Sequence, residues 1–147
     1  MGRFQNQILI NAPIEKVWSV LADVEAVKNY NPLVASAKRT SDNKEGLGCS
    51  RYCEFKPSGF AKERVIAFNP KSQISFEVVE SSWPVKSMKW STHLKAQGSS
   101  TLMTQDLEYE TKFGILGKVM DAVIMKRKLQ QSVGDIFSSL KKYVETT

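Results

Sequence analysis

The stretch INAPIEKVWSVLADVEAVKNYNP, residues 10–32, changes its hydrophobic period twice and sets the order of the later elements. Just upstream, Phe4, Ile8 and Ile10 alternate with Gln and Asn, the period of a strand with one buried face. The alternation stops at Asn11-Ala12-Pro13. Asn11 or Ala12 is expected to cap a helix, with Pro13 in its first turn, where a missing N–H costs no hydrogen bond. Ile14, Val17, Trp18, Leu21 and Val24 then recur at helical spacing as one apolar stripe. A second short helix is expected from about Val24 to Tyr30. Asn31-Pro32 stops it, because the residue before a proline is driven out of the helical region.

Downstream, residues 33–111 read as β throughout. Segments near 33–41, 48–56, 59–68, 72–80, 85–96 and 99–111 are divided by turn residues. The dividers are Asp42 to Gly46, Pro57-Ser58-Gly59, Asn69-Pro70, Ser81 to Pro84 and Gln97 to Ser100. Connections this short fit hairpins and leave no room for crossover helices, so the sheet should be an antiparallel meander. A long helix is expected over residues 115–145, with Leu129, Val133, Phe137, Leu140 and Val144 as an ordinary stripe in its second half. Its first part differs: eight of the eleven residues 115–125 are apolar and wrap more than one face. Such a segment is either enclosed or faces something other than water. The whole order describes an α+β layer structure, a curved seven-stranded antiparallel sheet wrapped around a long C-terminal helix, with two short helices after the first strand. A sheet bent around one helix leaves an internal cavity, expected to be on the order of several hundred Å³ and mostly apolar. Asn31-Pro32 and residues 113–117, with Gly114 and Gly117, are expected to frame its mouth.

At 147 residues, 41% hydrophobic and 24% charged, the chain fits one domain, 1–147. Twenty-one Lys and Arg against fifteen Asp and Glu give a net charge of +6, and sixteen of the cations are Lys spread along the chain. Base reading favours Arg, and no zinc-finger spacing, RNA-binding aromatic signature or helix-turn-helix pattern is present, so no nucleic-acid partner is expected. The one tight cluster, Lys126-Arg127-Lys128, comes directly after the apolar segment 115–125. A ligand with a greasy body and an acidic or phosphorylated head would match that order of groups. So would transient docking on an anionic membrane surface during cargo exchange. No apolar run reaches the ~20 residues that span a bilayer, and Met1 to Asn6 lack the apolar core of a signal peptide. A cytoplasmic protein without stable membrane insertion is expected. Cys49 and Cys53, four apart on one strand, would have Cα atoms about 13 Å apart and are expected to stay free thiols. His93 is the sole imidazole, and neither a metal nor a cofactor is expected.

The 10–32 stretch resembles the opening of the START-like, helix-grip (SRPBCC) superfamily, in particular its polyketide cyclase/dehydrase and lipid transport branch. GLGCSRYCEF (46–55) is similar to that family's third-strand Gly-x-Gly segment, and AKERVIAFNP (61–70) to its strand ending in a Pro turn. GSSTLMTQDLEYE (98–110) and GILGKVMDAVIMKRKLQQSVGDIFSSLKKYVE (114–145) resemble its last strand and closing helix. The resemblance spans nearly the whole chain in the family's order. It implies a helix-grip fold and the binding or transport of a small hydrophobic molecule, such as a lipid, isoprenoid or polyketide, in an internal cavity. Two other roles occur on this fold: polyketide aromatase/cyclase or dehydratase, and a chaperone-binding interaction module, for which exposed apolar residues in 115–125 would be the signature.

Ligand contacts are expected from Asn31, Phe55, Phe76, Met88, Trp90, Met103 and Gln105, and from Met120, Val123 and Ile124 on the long helix. Among polar strand residues, Arg51, Tyr52, Glu63, Gln105 and Tyr109 are expected to turn inward. Related cyclases hold a polyketide with an Arg and with Tyr or Gln donors, polarising a carbonyl while a base removes an α-proton. By that resemblance Arg51, Tyr52, Glu63 and Tyr109 are the catalytic candidates. The competing expectation is that Arg51 pairs with Glu63 or Glu54 across neighbouring strands as a satisfied ion pair. His93 shares a strand face with Ser87, Lys89 and Ser91, which sets it toward solvent, and no Gly-x-Ser-x-Gly elbow is present.

Overall fold

The computed structural model describes residues 2–112 and 118–147, with side chains in the last helix from residue 123 onward. The first strand, β1 (Gly2–Ile10), turns Phe4 and Ile10 into the core and Gln5 and Gln7 outward, as its alternation requires. The chain then bends, with the Ala12 N–H donating to the Ile10 carbonyl at 2.9 Å. Helix α1 (Ile14–Ala22) comes next and buries Val17, Leu21 and Ala22. Its N-cap is Pro13 in extended conformation, without a side-chain cap, so the cap expected at Asn11 or Ala12 is corrected. The bend commits Asn11 to other partners: its N–H donates to Glu145 Oε2 at 2.7 Å, and its Oδ1 accepts from Ser100 Oγ at 3.2 Å. Helix α2 (Val27–Tyr30) is a single turn. Val24 belongs instead to a preceding turn, where Asp23 Oδ1 accepts the Glu25 N–H at 3.1 Å, a local bond that competes with helix formation.

The remaining strands are β2 (Val34–Arg39), β3 (Ser50–Phe55), β4 (Phe60–Asn69), β5 (Gln73–Ser81), β6 (Val85–Gln97) and β7 (Ser100–Thr111). They form one seven-stranded antiparallel sheet of order β1-β7-β6-β5-β4-β3-β2. Strands β2 to β7 are joined as successive hairpins, whereas β1 lies against β7 in unbroken register from Gly2↔Tyr109 to Ile10↔Thr101. β1 and β2 therefore occupy opposite edges, and α1 and α2 carry the chain between them. Register shifts at Val34/Ser36, Lys62/Glu63, Val65/Ala67 and Val85/Ser87 bend the strands and increase their twist. Gly98, at φ 63°, permits the two-residue turn between β6 and β7.

Helix α3 (Lys118–Thr146) covers the concave face. Val133, Phe137, Leu140 and Val144 are buried and Leu129 packs against them, the stripe its sequence carries. The expected helix start at 115–117 and the expected mouth loop 113–117 lie outside the described residues. The C-terminal end of α3 is fastened to β1: Lys141 Nζ donates to the Leu9 carbonyl at 2.9 Å and to Glu145 Oε2 at 2.6 Å. Cys49 and Cys53 are both buried and unpaired.

The bonds from Lys141 and from the Asn11 N–H hold the Glu145 carboxyl below the usual glutamate range. A depressed folded value gives stability that is present above the unfolded carboxyl's pKa and lost as pH falls through the folded value. Glu145→Gln should therefore lower the melting temperature slightly at pH 7. The difference from wild type should close as the pH is taken down toward about 2, below the range where glutamates ionise. Thermal unfolding across that range checks both the gap and its closure.

Candidate functional site

A cavity of about 390 Å³ lies between the concave face of the sheet, α2 and α3. Strand alternation decides which side chains form it. On β3 the inner positions are Arg51, Cys53 and Phe55; β4 contributes Glu63, β6 contributes Met88 and Trp90, and β7 contributes Gln105 and Leu107. From α2 come Val27 and Tyr30, and from α3 Met125, Leu129, Val133 and Phe137. At one end the wall passes into exposed residues, Leu33, Lys56, Ser58 and Pro84, which mark the mouth. Trp83 stands beside them, its ring 5.0 Å from that of Phe55. Apart from a few polar groups, the walls are aliphatic and aromatic.

Two charges are buried in this wall. Arg51 and Glu63 are directly opposed on β3 and β4, and each is only 4% exposed. Arg51 Nε donates to Glu63 Oε1 at 2.7 Å, and a second guanidinium nitrogen donates to the Val24 carbonyl at 3.1 Å. The guanidinium carbon also sits 4.4 Å from the centroid of the Phe76 ring, a cation–π contact. Glu54 lies exposed on the other face of β3, so alternation leaves Glu63 as the partner. Burial alone would lower the pKa of Arg51; Glu63 at hydrogen-bond distance outweighs it, and the guanidinium stays firmly charged. Burial raises the Tyr30 phenol above its ordinary value, with the Arg51 charge opposing. Burial also pushes the Cys53 thiol up to about 12, with the Glu63 charge adding to the shift. Both groups are thus protonated at neutral pH, the phenol as a hydrogen-bond donor and the thiol as a poor nucleophile.

Of the residues singled out in the sequence, Asn31, Phe55, Met88, Trp90 and Gln105 line the cavity, as do Arg51 and Glu63. Gln105 is held there by donating to Thr92 Oγ1 at 3.0 Å. Phe76 lies behind the wall, its ring 5.6 Å from that of Trp90 and beneath Arg51, and Met103 is buried core. Tyr52 is not turned inward. With Arg51 facing the cavity its neighbour must face away, and Tyr52 stacks on Phe60 at 5.7 Å. Tyr109 is buried, but its ring lies over Gly2 of β1, where any Cβ would overlap it, and it forms no part of the cavity wall. Val123 and Ile124 are 50% and 47% exposed, so they face out rather than in. Exposed Lys126, Arg127 and Lys128 come after them. Met120 lies outside the residues whose side chains are described. The phenol beside Arg51 belongs to Tyr30, which sequence reasoning passed over because it was sought on strands; its position directly before Asn31-Pro32 was the available signal. His93 is exposed on the outer face of β6. Among the described residues no cluster of His, Cys, Asp and Glu has the arrangement of a metal site, and no helix is long and apolar enough to cross a membrane.

Removing one member of a buried ion pair leaves the other charge without compensation, which typically costs about 3–5 kcal/mol, whereas replacing both with apolar groups of similar volume is close to neutral. Glu63→Gln should therefore lower unfolding stability by roughly that amount, while Arg51→Met/Glu63→Leu should stay within about 1 kcal/mol of wild type or exceed it. Urea denaturation of the three proteins measures the difference directly.

The family model of polyketide cyclase/dehydrase and lipid transport proteins matches residues 1–145. Among curated proteins none matches the chain in sequence. Solved structures share its fold across nearly the whole length. A START superfamily protein from Mycobacterium smegmatis superimposes with a TM-score of 0.80 at 18% identity, over 98% of this chain and 97% of that one. The Zhui aromatase/cyclase of a Streptomyces species does so with a TM-score of 0.82 at 14% identity, over 98% and 93%. Major latex-like protein 151 of Panax ginseng gives a TM-score of 0.72 at 19% identity, over 99% and 95%. With the curved sheet, the long covering helix and a family match that runs from the first strand to the last turn of α3, the chain belongs to the polyketide cyclase/dehydrase and lipid transport family.

Proposed function

We propose that the protein binds one small hydrophobic molecule between its sheet and α3, as a carrier rather than as a catalyst. The observation that carries this reading is the cavity: apolar walls around about 390 Å³, with two buried charges that neutralise each other. That volume falls within the ~300–1,000 Å³ of small-molecule sites. Family membership supports the same reading, because lipid transport is one of the activities the family's description carries. The exposed Val123 and Ile124, with Lys126, Arg127 and Lys128 after them, support brief contact with an anionic membrane surface during loading. Each cation there contributes about 1 kcal/mol.

The cyclase reading draws support from one feature. The Arg51 guanidinium and the Tyr30 phenol share one wall and would polarise a carbonyl placed against them. Ring closure also needs a base for the α-proton. Glu63 is committed to Arg51, and the single histidine, His93, is on the outer face. The balance of groups favours holding a ligand over transforming it.

Leu129 projects from α3 into the cavity wall, so Leu129→Trp would place its added ring in the volume a ligand needs. The variant is expected to bind an environment-sensitive apolar fluorophore at least tenfold more weakly than wild type. Its melting temperature should fall by only a few degrees, because the bulk enters cavity rather than packed core. Unchanged uptake would place binding elsewhere. Appearance of an aromatic absorption band when either protein is mixed with a linear β-polyketone would favour the cyclase.

A further inference from the structure

The chemistry at the inner end of the cavity selects the kind of molecule it takes. Arg51 lies four residues along β3 from Phe55, so it sits about 13 Å from the Phe55 end of the wall, beside which the exposed mouth residues lie. A ligand that fills the cavity therefore presents one end to Arg51. An Arg at such a depth would ordinarily mark a site for a carboxylate or a phosphate, the anions its planar fork matches. Here Glu63 stands at 2.7 Å and already supplies the countercharge. Two of the five guanidinium N–H groups are committed, to Glu63 and to the Val24 carbonyl, and the Tyr30 phenol oxygen also lies within hydrogen-bond reach of the guanidinium. Tyr30 adds a phenol to the same wall, and Gln105 an amide whose nitrogen is held by Thr92.

We propose that the cavity takes uncharged amphiphiles, a hydrocarbon body ending in a ketone or hydroxyl, and rejects carboxylates and phosphates at its inner end. This rests on the ligand-binding reading and names its ligand class. The neutral oxygen accepts hydrogen bonds from Arg51 and Tyr30. An anion entering the same place would bring a second negative charge against Glu63 and lose its own hydration, for one cation already shared. A bare hydrocarbon offers no acceptor to the guanidinium and phenol donors of this wall and gains no hydrogen bond there. The protonated state of Tyr30 and of Cys53 adds no charge of either sign to this wall. The basic cluster expected to greet an acidic head, Lys126-Arg127-Lys128, is exposed on α3 and lines no part of the cavity. Among the described residues of the wall, Lys56 at the mouth is then the only cation outside the pair.

The test compares three ten-carbon ligands, decan-2-one, decan-1-ol and decanoate, by displacement of a bound apolar fluorophore at pH 7.5. Wild type should bind the ketone and the alcohol at least tenfold more tightly than decanoate. In Glu63→Gln, which frees the Arg51 charge, the ratio of ketone to decanoate affinity should move at least tenfold toward decanoate. In Arg51→Met/Glu63→Leu, expected to stay folded because both buried charges are removed together, decan-2-one should weaken about tenfold. Decanoate binding to wild type as tightly as the ketone overturns the proposal. So does a ketone affinity unchanged in the double variant, even if Glu63→Gln does not fold. If the fluorophore itself fails to bind wild type, it is the underlying ligand-binding reading that falls.

Discussion

Nine consecutive residue pairs between β1 and β7, from Gly2↔Tyr109 to Ile10↔Thr101, hold together the two parts of the chain on which the rest of the architecture depends. Every other strand pair is a hairpin between sequence neighbours, closed by a local turn. The β1–β7 pair is the long-range one, and its loop-closure entropy is repaid only once the whole sheet exists. Because β1 is placed at the edge beside β7, the chain must travel across the sheet to begin β2, and α1 and α2 are that passage. The same placement sets Leu9 and Asn11 against the C-terminal turn of α3, where Lys141 and Glu145 tie the covering helix to the first strand.

The cavity is a consequence of this arrangement. Four register shifts bend the strands, and a single long helix covers the hollow they create. Phe137, Leu140 and Val144 fill the space near the fastened end of α3, whereas toward Met125 and Leu129 the helix and sheet enclose open volume. In that wall the Arg51–Glu63 pair is expensive by its desolvation, and geometry offsets part of the cost: a short ion pair, a backbone carbonyl and the face of Phe76 all engage the guanidinium. A pair of this kind contributes less to stability than a hydrophobic substitute of the same volume would. Under the ligand-binding proposal, the pair serves recognition in the cavity rather than stability.

Much of this was legible in the sequence, for identifiable reasons. Period changes at Asn11 to Pro13 and at Asn31-Pro32, and the turn residues between strands, marked the elements in order, and alternation placed Met88, Trp90 and Gln105 on the inner face. Alternation also settled Arg51 against Tyr52, since adjacent strand residues cannot both face inward, and reading both as inward neglected that rule. The choice of Glu63 over Glu54 likewise needed the β3–β4 register together with the face each carboxylate occupies. What the sequence could not supply was the rotation of α3 about its own axis. Residues 115–125 are apolar on several faces, so periodicity alone does not say that Met125 and Leu129 meet the cavity while Val123 and Ile124 meet solvent. Tyr30 reaches the site through the one-turn helix α2, whose placement is a tertiary fact. The cap of α1 was lost for a related reason: Asn11 is drawn to Glu145 and Ser100, partners far away in sequence.

If a small neutral amphiphile occupies the space between the sheet and α3, methionine methyl groups report on it directly. Met88 and Met125 line the cavity, while Met103 is buried in the core outside it. In methyl-labelled protein titrated with decan-2-one, the Met88 and Met125 resonances should shift saturably, with ligand-to-methyl nuclear Overhauser effects to both and none to Met103. Saturable binding that leaves Met88 and Met125 unmoved would contradict that occupancy.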